Sequence, residues 1–206
     1  MGIKNIIIAV VLGAALAGGI FVATLASKPA QPKSAFILPL LDDLPEFTLK
    51  DQSGKLVNAD TFRGQYDLVF FGFTHCPDVC PTTLQLLATV KKRLLESGSD
   101  DVPRIVLVSV DPERDTPGVL SQYVEYFGND ILGVTGDLSE IRKLTGALGI
   151  YFEKVPGNPT DSDTYNVNHS AAVLVINPDG QFSALFSAPH KIEDYLHDLP
   201  IIMGGN

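Results

Sequence analysis

The chain contains only two cysteines, Cys76 and Cys80, and both lie in one short segment that follows an apolar run. A histidine, His75, precedes the first cysteine, and a proline follows each of them. Cysteine thiolates act as nucleophiles in thiol–disulfide exchange and as soft ligands for metals such as copper. The segment therefore indicates a disulfide, a redox-active dithiol or part of a metal site, and the residue types alone do not separate these chemistries.

The spacing of the cysteines favours a metal over a relaxed disulfide. Residues four apart on a helix have Cβ atoms about 5–6 Å apart, whereas a disulfide requires about 3.5–4.5 Å. Two sulfurs that bind one metal ion can lie farther apart than a bonded pair. Pro81 discourages the helical state at Cys80, so we expect the helix to begin there and Cys76 to lie in a loop, where oxidation stays open. A pair of buried, inert thiols is the remaining alternative.

A histidine is the natural third ligand, since two thiolates suit Cu(I) and an added imidazole admits Cu(II). The chain has four histidines, which are His75, His169, His190 and His197. His75 is adjacent to Cys76, and neighbouring side chains in an extended backbone point apart. His169 precedes a predicted strand, and from the residue pattern alone an ordinary strand-edge histidine is favoured. The last two are expected to be solvated, so the pattern leaves the third ligand open.

The elements around the cysteines are predicted to alternate between strands and helices. Apolar runs of buried-strand length lie at residues 66–73, 104–110 and 171–176. Helical stripes lie at residues 82–95, 117–127, 137–148 and 192–199. This order predicts an α/β sheet with helices on both faces and a closing antiparallel hairpin, which fits a thioredoxin-like core. The cysteines then lie at the carboxyl end of a central strand, where α/β sheets place their sites.

Three shorter segments complete the prediction for this domain. Residues 47–57 are expected to form a hairpin with its turn at Ser53–Gly54, and residues 151–152 to begin an edge strand. Residues 156–168 are expected to form a polar loop. Asp137 and Glu140 have the spacing of a capping box at the start of a helix.

The amino-terminal part of the chain differs from the rest. Residues 6–25 are apolar and uncharged, and twenty helical residues span about 30 Å, the thickness of a bilayer core. A cleaved signal peptide is the alternative, but its apolar region is only about 7–15 residues long. We therefore predict a membrane anchor at residues 1–27 with one transmembrane helix at about 6–25, an extended tether at 28–42 and a compact domain at 43–206. The short head before the helix is similar to that of a signal anchor and indicates that the domain is exported.

Composition excludes two classes of protein. The net charge of −9 and the absence of any lysine or arginine cluster argue against nucleic acid as a partner. A chain of 206 residues can bury a core that needs no disulfide staple, and two cysteines are too few for a disulfide-built fold.

Three motifs, in order, resemble the Sco/SenC family of copper-binding assembly factors for cytochrome c oxidase. They are FTHCPDVCP at residues 73–81, VSVDPERDTP at 108–117 and YNVNHS at 165–170, the last followed by NPDG. The resemblance extends over about residues 44–199 and includes the layout of anchor and tether. It implies a thioredoxin-like domain on the periplasmic side of the inner (cytoplasmic) membrane, held there by a single membrane pass.

The resemblance also implies a function. One copper ion per chain, Cu(I) or Cu(II), is expected to bind Cys76, Cys80 and His169, and the cysteine pair is expected to cycle between dithiol and disulfide. The implied protein is a copper chaperone, rather than a turnover enzyme, that helps to assemble the copper site of cytochrome c oxidase subunit II. That subunit and other copper chaperones are the implied partners. The alternative is a thiol–disulfide oxidoreductase that reduces the cysteines of that subunit before metallation.

Further residues are expected beside the ligands or at a partner contact, namely Asp78, Asp111 and Asn168. Asn168 replaces an aspartate that is usual in the family, and this loss of a carboxylate is expected to alter the surroundings of the copper. Leu174 replaces a common aromatic residue. A peroxidase ranks below both functions, because Thr74 lies two residues before Cys76 and not three, as in peroxiredoxins.

Overall fold

The computed structural model describes most of the domain and little of the amino terminus. The described residues are 2–5, 12–13, 30–99, 101–156 and 165–204. The chain divides into two compact units, residues 1–31 and residues 32–206. The predicted transmembrane helix at about 6–25 lies outside the described residues, apart from residues 12 and 13. Among the residues that are described, no helix has the length and apolar character needed to cross a bilayer.

The second unit contains strands and helices in alternation. Its described strands are β1 (Phe36–Asp43), β2 (Leu49–Asp51), β3 (Leu56–Val57), β4 (Asp67–Gly72), β5 (Arg104–Ser109), β6 (Leu132–Thr135), β7 (Phe152–Pro156), β8 (Tyr165–His169), β9 (Val173–Ile176) and β10 (Gln181–Phe186). Its described α-helices are α1 (Val79–Glu96), α2 (Pro117–Glu125), α3 (Leu138–Ala147) and α4 (Ile192–Gly204). A short 3-10 helix spans Ala59–Phe62.

The strands form one large sheet and one small one. The large sheet has eight strands in the order β1-β10-β9-β4-β5-β6-β2-β3, and β7 pairs with β8 in a separate two-stranded sheet. Strands β4, β5 and β6 are parallel, while β9 runs antiparallel to β4 and forms a hairpin with β10. All six residues of β4 are buried, as expected for a central strand covered on both faces. This arrangement confirms the α/β prediction and the closing antiparallel hairpin.

Two segments predicted to lack regular structure form strands. Residues 36–43, which overlap the predicted tether, form edge strand β1 against β10. The strand contains Pro39, whose missing N–H is tolerated at a sheet edge. Residues 165–168, predicted to end a polar loop, instead form most of β8 (Tyr165–His169), because each residue of β8 pairs with one of β7. The pairing partner supplies backbone hydrogen bonds that the polar composition did not reveal.

The predicted capping box of α3 does not form. Asp137 is the N-cap residue, but its side chain makes no capping hydrogen bond. The carboxylate of Glu140 instead accepts a hydrogen bond from the backbone N–H of Thr48, at 2.9 Å, and contacts Lys143. The side chain therefore ties α3 to the segment before β2 rather than to its own helix end.

A buried carboxylate on α4 fixes the start of the domain. Asp198 is fully buried and accepts hydrogen bonds from the backbone N–H groups of Lys33, Ser34 and Ala35, each at 2.8 Å. His197 Nδ1 lies 2.7 Å from the same carboxylate. Burial alone would raise the pKa of Asp198, but the hydrogen bonds from Ala35, Lys33, His197 and Ser34 together hold that pKa below its usual range. The ionised carboxylate thus holds residues 33–35 against the last helix, immediately before β1.

Replacing Asp198 with asparagine is expected to lower the free energy of unfolding by about 2–3 kcal/mol at pH 7, because hydrogen bonds to a charged acceptor are lost. The folded pKa of Asp198 lies below its ordinary value of 3.8, so this contribution is present above that value and is lost as pH falls through the folded pKa. Urea unfolding at pH 7 and at pH 2 measures the difference. Glu193→Gln, an exposed change on the same helix, serves as the control. Equal stability of Asp198→Asn and Glu193→Gln at pH 7 would refute the role assigned to this carboxylate.

Candidate metal centre

The two cysteines lie at the junction of β4 and α1. Cys76 lies in the connecting loop and is half-buried, while Cys80 lies in the first turn of α1 and is fully buried. The helix begins at Val79, one residue before the predicted start, because Pro81 occupies its first turn, where a missing N–H leaves no hydrogen bond unmade. The backbone N–H of Cys80 donates to the sulfur of Cys76 at 3.4 Å. A helix amino terminus stabilises negative charge, so the segment is suited to hold a thiolate.

His169 reaches the cysteines from the end of β8. Its Nδ1 lies 2.9 Å from the carbonyl oxygen of Ser170, and a carbonyl only accepts hydrogen bonds, so Nδ1 carries the proton. The other ring nitrogen, Nε2, faces the site and lies 3.4 Å from the sulfur of Cys80. The rings of Phe70 and Phe73 pack edge-on to the imidazole, with centroids at 5.9 and 5.7 Å. These contacts fix both the tautomer and the orientation that a metal ligand requires.

The three side chains together present a donor set that fits copper. One ligand atom from each of Cys76, Cys80 and His169 lies within 4.8 Å of the others. Ligands bonded to one ion at about 2.0–2.3 Å are separated by distances of this order. Two sulfurs and one imidazole nitrogen suit copper in either oxidation state. Within the described part of the chain, this is the only such group of three histidine, cysteine or acidic side chains.

The thiols of Cys76 and Cys80 differ in pKa. A hydrogen bond from Cys80 lowers the pKa of Cys76 well below its usual range, although burial opposes the shift. The same hydrogen bond and burial raise the pKa of Cys80. The two shifts favour a thiolate on the more exposed Cys76 and a proton on the buried Cys80. Binding of a metal by both sulfurs must release the proton that Cys80 holds.

The other residues named from the sequence lie in different settings. His75 is exposed, and its Nδ1 contacts the hydroxyl of Thr74 at 3.0 Å, so it does not join the three-residue group. Asp78 is exposed at the start of α1, and Asn168 is exposed on β8. Asp111 is only 3% exposed and lies away from the surface. The roles of Asp78, Asp111 and Asn168 beside the ligands or at a partner contact stay predictions.

Asp115 is a buried residue of the site that the sequence did not single out. Thr116 is the N-cap of α2, and Asp115 is instead fully buried under the cysteine loop. Its carboxylate accepts hydrogen bonds from Thr74 Oγ1 at 2.6 Å, from the backbone N–H of Thr74 at 3.1 Å and from Ser109 Oγ at 2.6 Å. These bonds attach the start of the cysteine loop to the end of β5. No pattern in the sequence separates this role from capping.

Gly72 is a second residue that sequence reasoning missed. A Cβ atom at this position would lie 2.9 Å from the sulfur of Cys80 and 2.8 Å from Cε1 of Phe70, closer than real contacts allow. The signal was present in the sequence, because a glycine inside an apolar strand marks a close approach of the backbone to another group. Glycine here lets the sulfur of Cys80 pack directly against β4.

Replacing Gly72 with alanine is expected to lower the free energy of unfolding by about 1–3 kcal/mol and to displace the sulfur of Cys80, because the added methyl group overpacks the core. Urea unfolding and the copper-binding isotherm of the reduced protein measure the two effects. Gly146→Ala is the control, since a methyl group there meets no atom within 4 Å. Unchanged unfolding and copper binding in Gly72→Ala would show that the sulfur does not need this contact.

The site opens to the surface through a cleft of about 240 Å³. Its walls include Cys76, Asp78, Val79, Asn166 and His169. Cys80 is not among the lining residues, in keeping with its full burial. An ion or a partner side chain can therefore reach the site from the side of Cys76 and His169.

Comparison with known proteins identifies the family. The model of the SCO1/SenC family matches residues 42–204, most of the chain. The chain belongs to the SCO1/SenC family. This SCO1/SenC chain is 34% identical over 154 residues to the SCO2-like protein of Rickettsia felis, covering 73% of the chain and 74% of that protein.

Solved SCO1/SenC relatives support both the fold and the metal. The structure of Arabidopsis thaliana ScoI with copper bound has a TM-score of 0.70 and 31% identity, covering 78% of this chain and 96% of that one. The structure of Bradyrhizobium japonicum ScoI with copper bound has a TM-score of 0.68 and 34% identity, covering 79% and 100%. The thioredoxin-like α/β fold and the family resemblance are confirmed. Copper is bound in both of these relatives, and Cys76, Cys80 and His169 of this chain are placed so that they could hold a metal ion.

Proposed function

We propose that this protein is a copper chaperone that binds one copper ion through Cys76, Cys80 and His169 and helps to assemble the copper site of cytochrome c oxidase subunit II. The observation that carries the proposal is the meeting of two sulfurs and one imidazole nitrogen within 4.8 Å at a surface cleft. The relatives with bound copper support the choice of metal. The oxidase client follows from the Sco/SenC resemblance of the sequence.

The proposed ligands differ in burial, and this difference suits a copper ion that is to be transferred to a partner. Copper supplies no reaction here; it is held and then handed on. Cys80 is fully buried, whereas Cys76 is half-buried and lines the cleft with His169. A thiol or imidazole of a partner can therefore approach the ion past Cys76 and replace the accessible ligands first. Three protein ligands leave room for such an incoming fourth ligand, which a closed four-ligand site does not.

The proposed location follows from the amino-terminal sequence. The apolar segment at residues 6–25 is proposed to anchor the protein by one pass in the inner membrane, with the domain on the periplasmic side. The proposed tether follows this segment. Its residues 33–35 are bound to the domain by backbone hydrogen bonds to the carboxylate of Asp198. Subunit II and other copper chaperones are the proposed partners on that side.

A thiol–disulfide oxidoreductase is the second candidate, and the asymmetry of the thiols favours it. The Cys76 thiolate would attack one sulfur of a client disulfide, forming a mixed disulfide and releasing the other client sulfur as a thiolate. Cys80, after losing its proton, would then attack the sulfur of Cys76 and expel the second client sulfur. The client gains two electrons, taking up two protons as its thiolates protonate, and the Cys76–Cys80 pair becomes a disulfide.

A cellular test separates the two functions. In cells that lack the wild-type protein, oxidase assembly is measured after expression of His169→Ala, Cys80→Ser or His75→Ala chains. The chaperone proposal expects the first two to fail and His75→Ala, which alters an exposed ring outside the donor set, to restore assembly. Normal assembly with His169→Ala but not with Cys80→Ser would contradict the chaperone and support the oxidoreductase.

A further inference from the structure

The hairpin that carries His169 lies outside the eight-stranded sheet and contacts the cysteine loop and the loop after β5 through side chains. Strands β7 and β8 pair only with each other among the described strands. An isolated two-stranded hairpin is marginally stable in water, so its position depends on what it packs against. We call β7 and β8 the His169 hairpin.

One face of β8 provides two separate attachments. Side chains alternate along a strand, so Tyr165, Val167 and His169 share a face, with Val167 buried at 5% exposure between the other two. The first and last of these are about 13 Å apart at about 3.3 Å per residue. His169 contacts the cysteine site at one end. Tyr165 lies at the other end of the strand.

Tyr165 is held by two charged residues of the loop after β5. Its Oη donates a hydrogen bond to Oδ1 of Asp111 at 2.7 Å. Nη1 of Arg114 donates to the carbonyl oxygen of Tyr165 at 3.2 Å, and the guanidinium carbon lies 3.7 Å from the centre of the Tyr165 ring. Arg114 Nε in turn contacts Asp111 Oδ2, so the three residues form one closed cluster. We call Asp111, Arg114 and Tyr165 the docking cluster.

The docking cluster also touches the wall of the metal site. The guanidinium of Arg114 lies 5.7 Å from the ring centre of Phe73, which packs edge-on to the His169 imidazole at 5.7 Å. Phe73 directly precedes the cysteine loop. A continuous set of contacts therefore runs from the docking cluster to both the histidine and the cysteine loop.

We infer that Asp111, Arg114 and Tyr165 are positioning residues that dock the His169 hairpin and thereby set the imidazole of His169 against the cysteine pair. Asp111 therefore has a role inside the domain rather than at its surface. It is 3% exposed, and its carboxylate contacts both Arg114 and Tyr165. Cu(II) binding depends on the imidazole, whereas Cu(I) is satisfied by two thiolates. The cluster therefore governs the preference between oxidation states without touching the metal. This inference rests on the proposed copper site.

Tyr165→Phe tests the inference, because it removes only the hydroxyl and keeps the ring against Arg114. In the metal-free, reduced full chain we expect amide hydrogens of β8 to exchange about fivefold faster, as one hydrogen bond that holds the hairpin is lost. Cu(II) affinity should fall about 10-fold to 100-fold, the range for residues that orient a ligand, while Cu(I) affinity changes by less than about threefold. Tyr151→Phe is the matched control, since the Tyr151 hydroxyl contacts exposed Glu153 on the surface of the same hairpin segment.

The docking role and the chaperone function can be contradicted independently of each other. Unchanged exchange in β8, or equal losses of Cu(I) and Cu(II) affinity, would overturn the positioning role. A wild-type chain that binds no copper would contradict the chaperone proposal, and the exchange measurement on metal-free protein would then decide the docking on its own. Tyr165→Phe combined with Asp111→Ala should cost less than the sum of the two single changes, because both remove the hydrogen bond between Tyr165 and Asp111.

Discussion

Replacing Cys80 with serine is expected to reduce the affinity of the reduced chain for Cu(I) by at least about 100-fold, since each ligand of a four-ligand zinc site accounts for roughly 3 kcal/mol of binding. Serine has nearly the shape of cysteine, so the fully buried position stays filled. Its hydroxyl, unlike a thiolate, is not a soft ligand. One sulfur and one imidazole then remain where two sulfurs bound Cu(I).

The measurement is competition with a Cu(I) chelator of known affinity. Cys76→Ser should show a loss of similar size, because both sulfurs bind the ion. Thermal unfolding of each variant controls for damage to the fold. A Cu(I) affinity of folded Cys80→Ser within about threefold of the wild-type value would remove Cys80 from the ligand set, since the loss of a true ligand cannot be so small.

Replacing His169 with alanine is expected to abolish the Cu(II)–thiolate absorption while Cu(I) binding falls by only about tenfold. Cu(II) prefers imidazole nitrogen among its ligands, whereas two thiolates alone suit Cu(I). The structure places Nε2 of His169 3.4 Å from the sulfur of Cys80 and fixes its tautomer through Ser170. Loss of this one nitrogen therefore changes the Cu(II) site much more than the Cu(I) site.

Absorption spectroscopy during titration with Cu(II), followed by Cu(I) competition on the same preparation, measures both effects. His75→Ala is the matched control, because His75 is adjacent to Cys76 in sequence but exposed and outside the donor set. A Cu(II) spectrum in His169→Ala that equals the wild-type spectrum would show that another group supplies the third ligand. A spectrum lost in His75→Ala and kept in His169→Ala would exchange the two assignments.

The cysteine half of the site follows from local sequence. The apolar run at residues 66–73 predicts a buried strand, and the stripe after it predicts a helix, so the loop between them must lie at the carboxyl edge of the sheet. The structure confirms this with β4 and α1. Strand and helix here are set by the periodicity of neighbouring residues, which a single sequence displays.

The histidine half of the site does not follow from local sequence. His169 reaches the cysteines because Phe152 pairs with it across the hairpin and because Tyr165 docks on Asp111. These partners are distant along the chain, and composition assigned most of β8 to a loop. Only the resemblance to a family named His169 as a ligand. Asp198 is missed for the same reason, since its backbone partners lie at the other end of the domain.

The proposed copper site is tested by the copper content and absorption spectrum of the purified full chain, compared with its cysteine pair reduced and oxidised. We expect one copper ion per reduced chain, a sulfur-to-copper absorption with Cu(II), and loss of both when Cys76 and Cys80 are joined as a disulfide. Copper that binds equally to the oxidised chain, or a reduced chain that binds none, would contradict the proposed site.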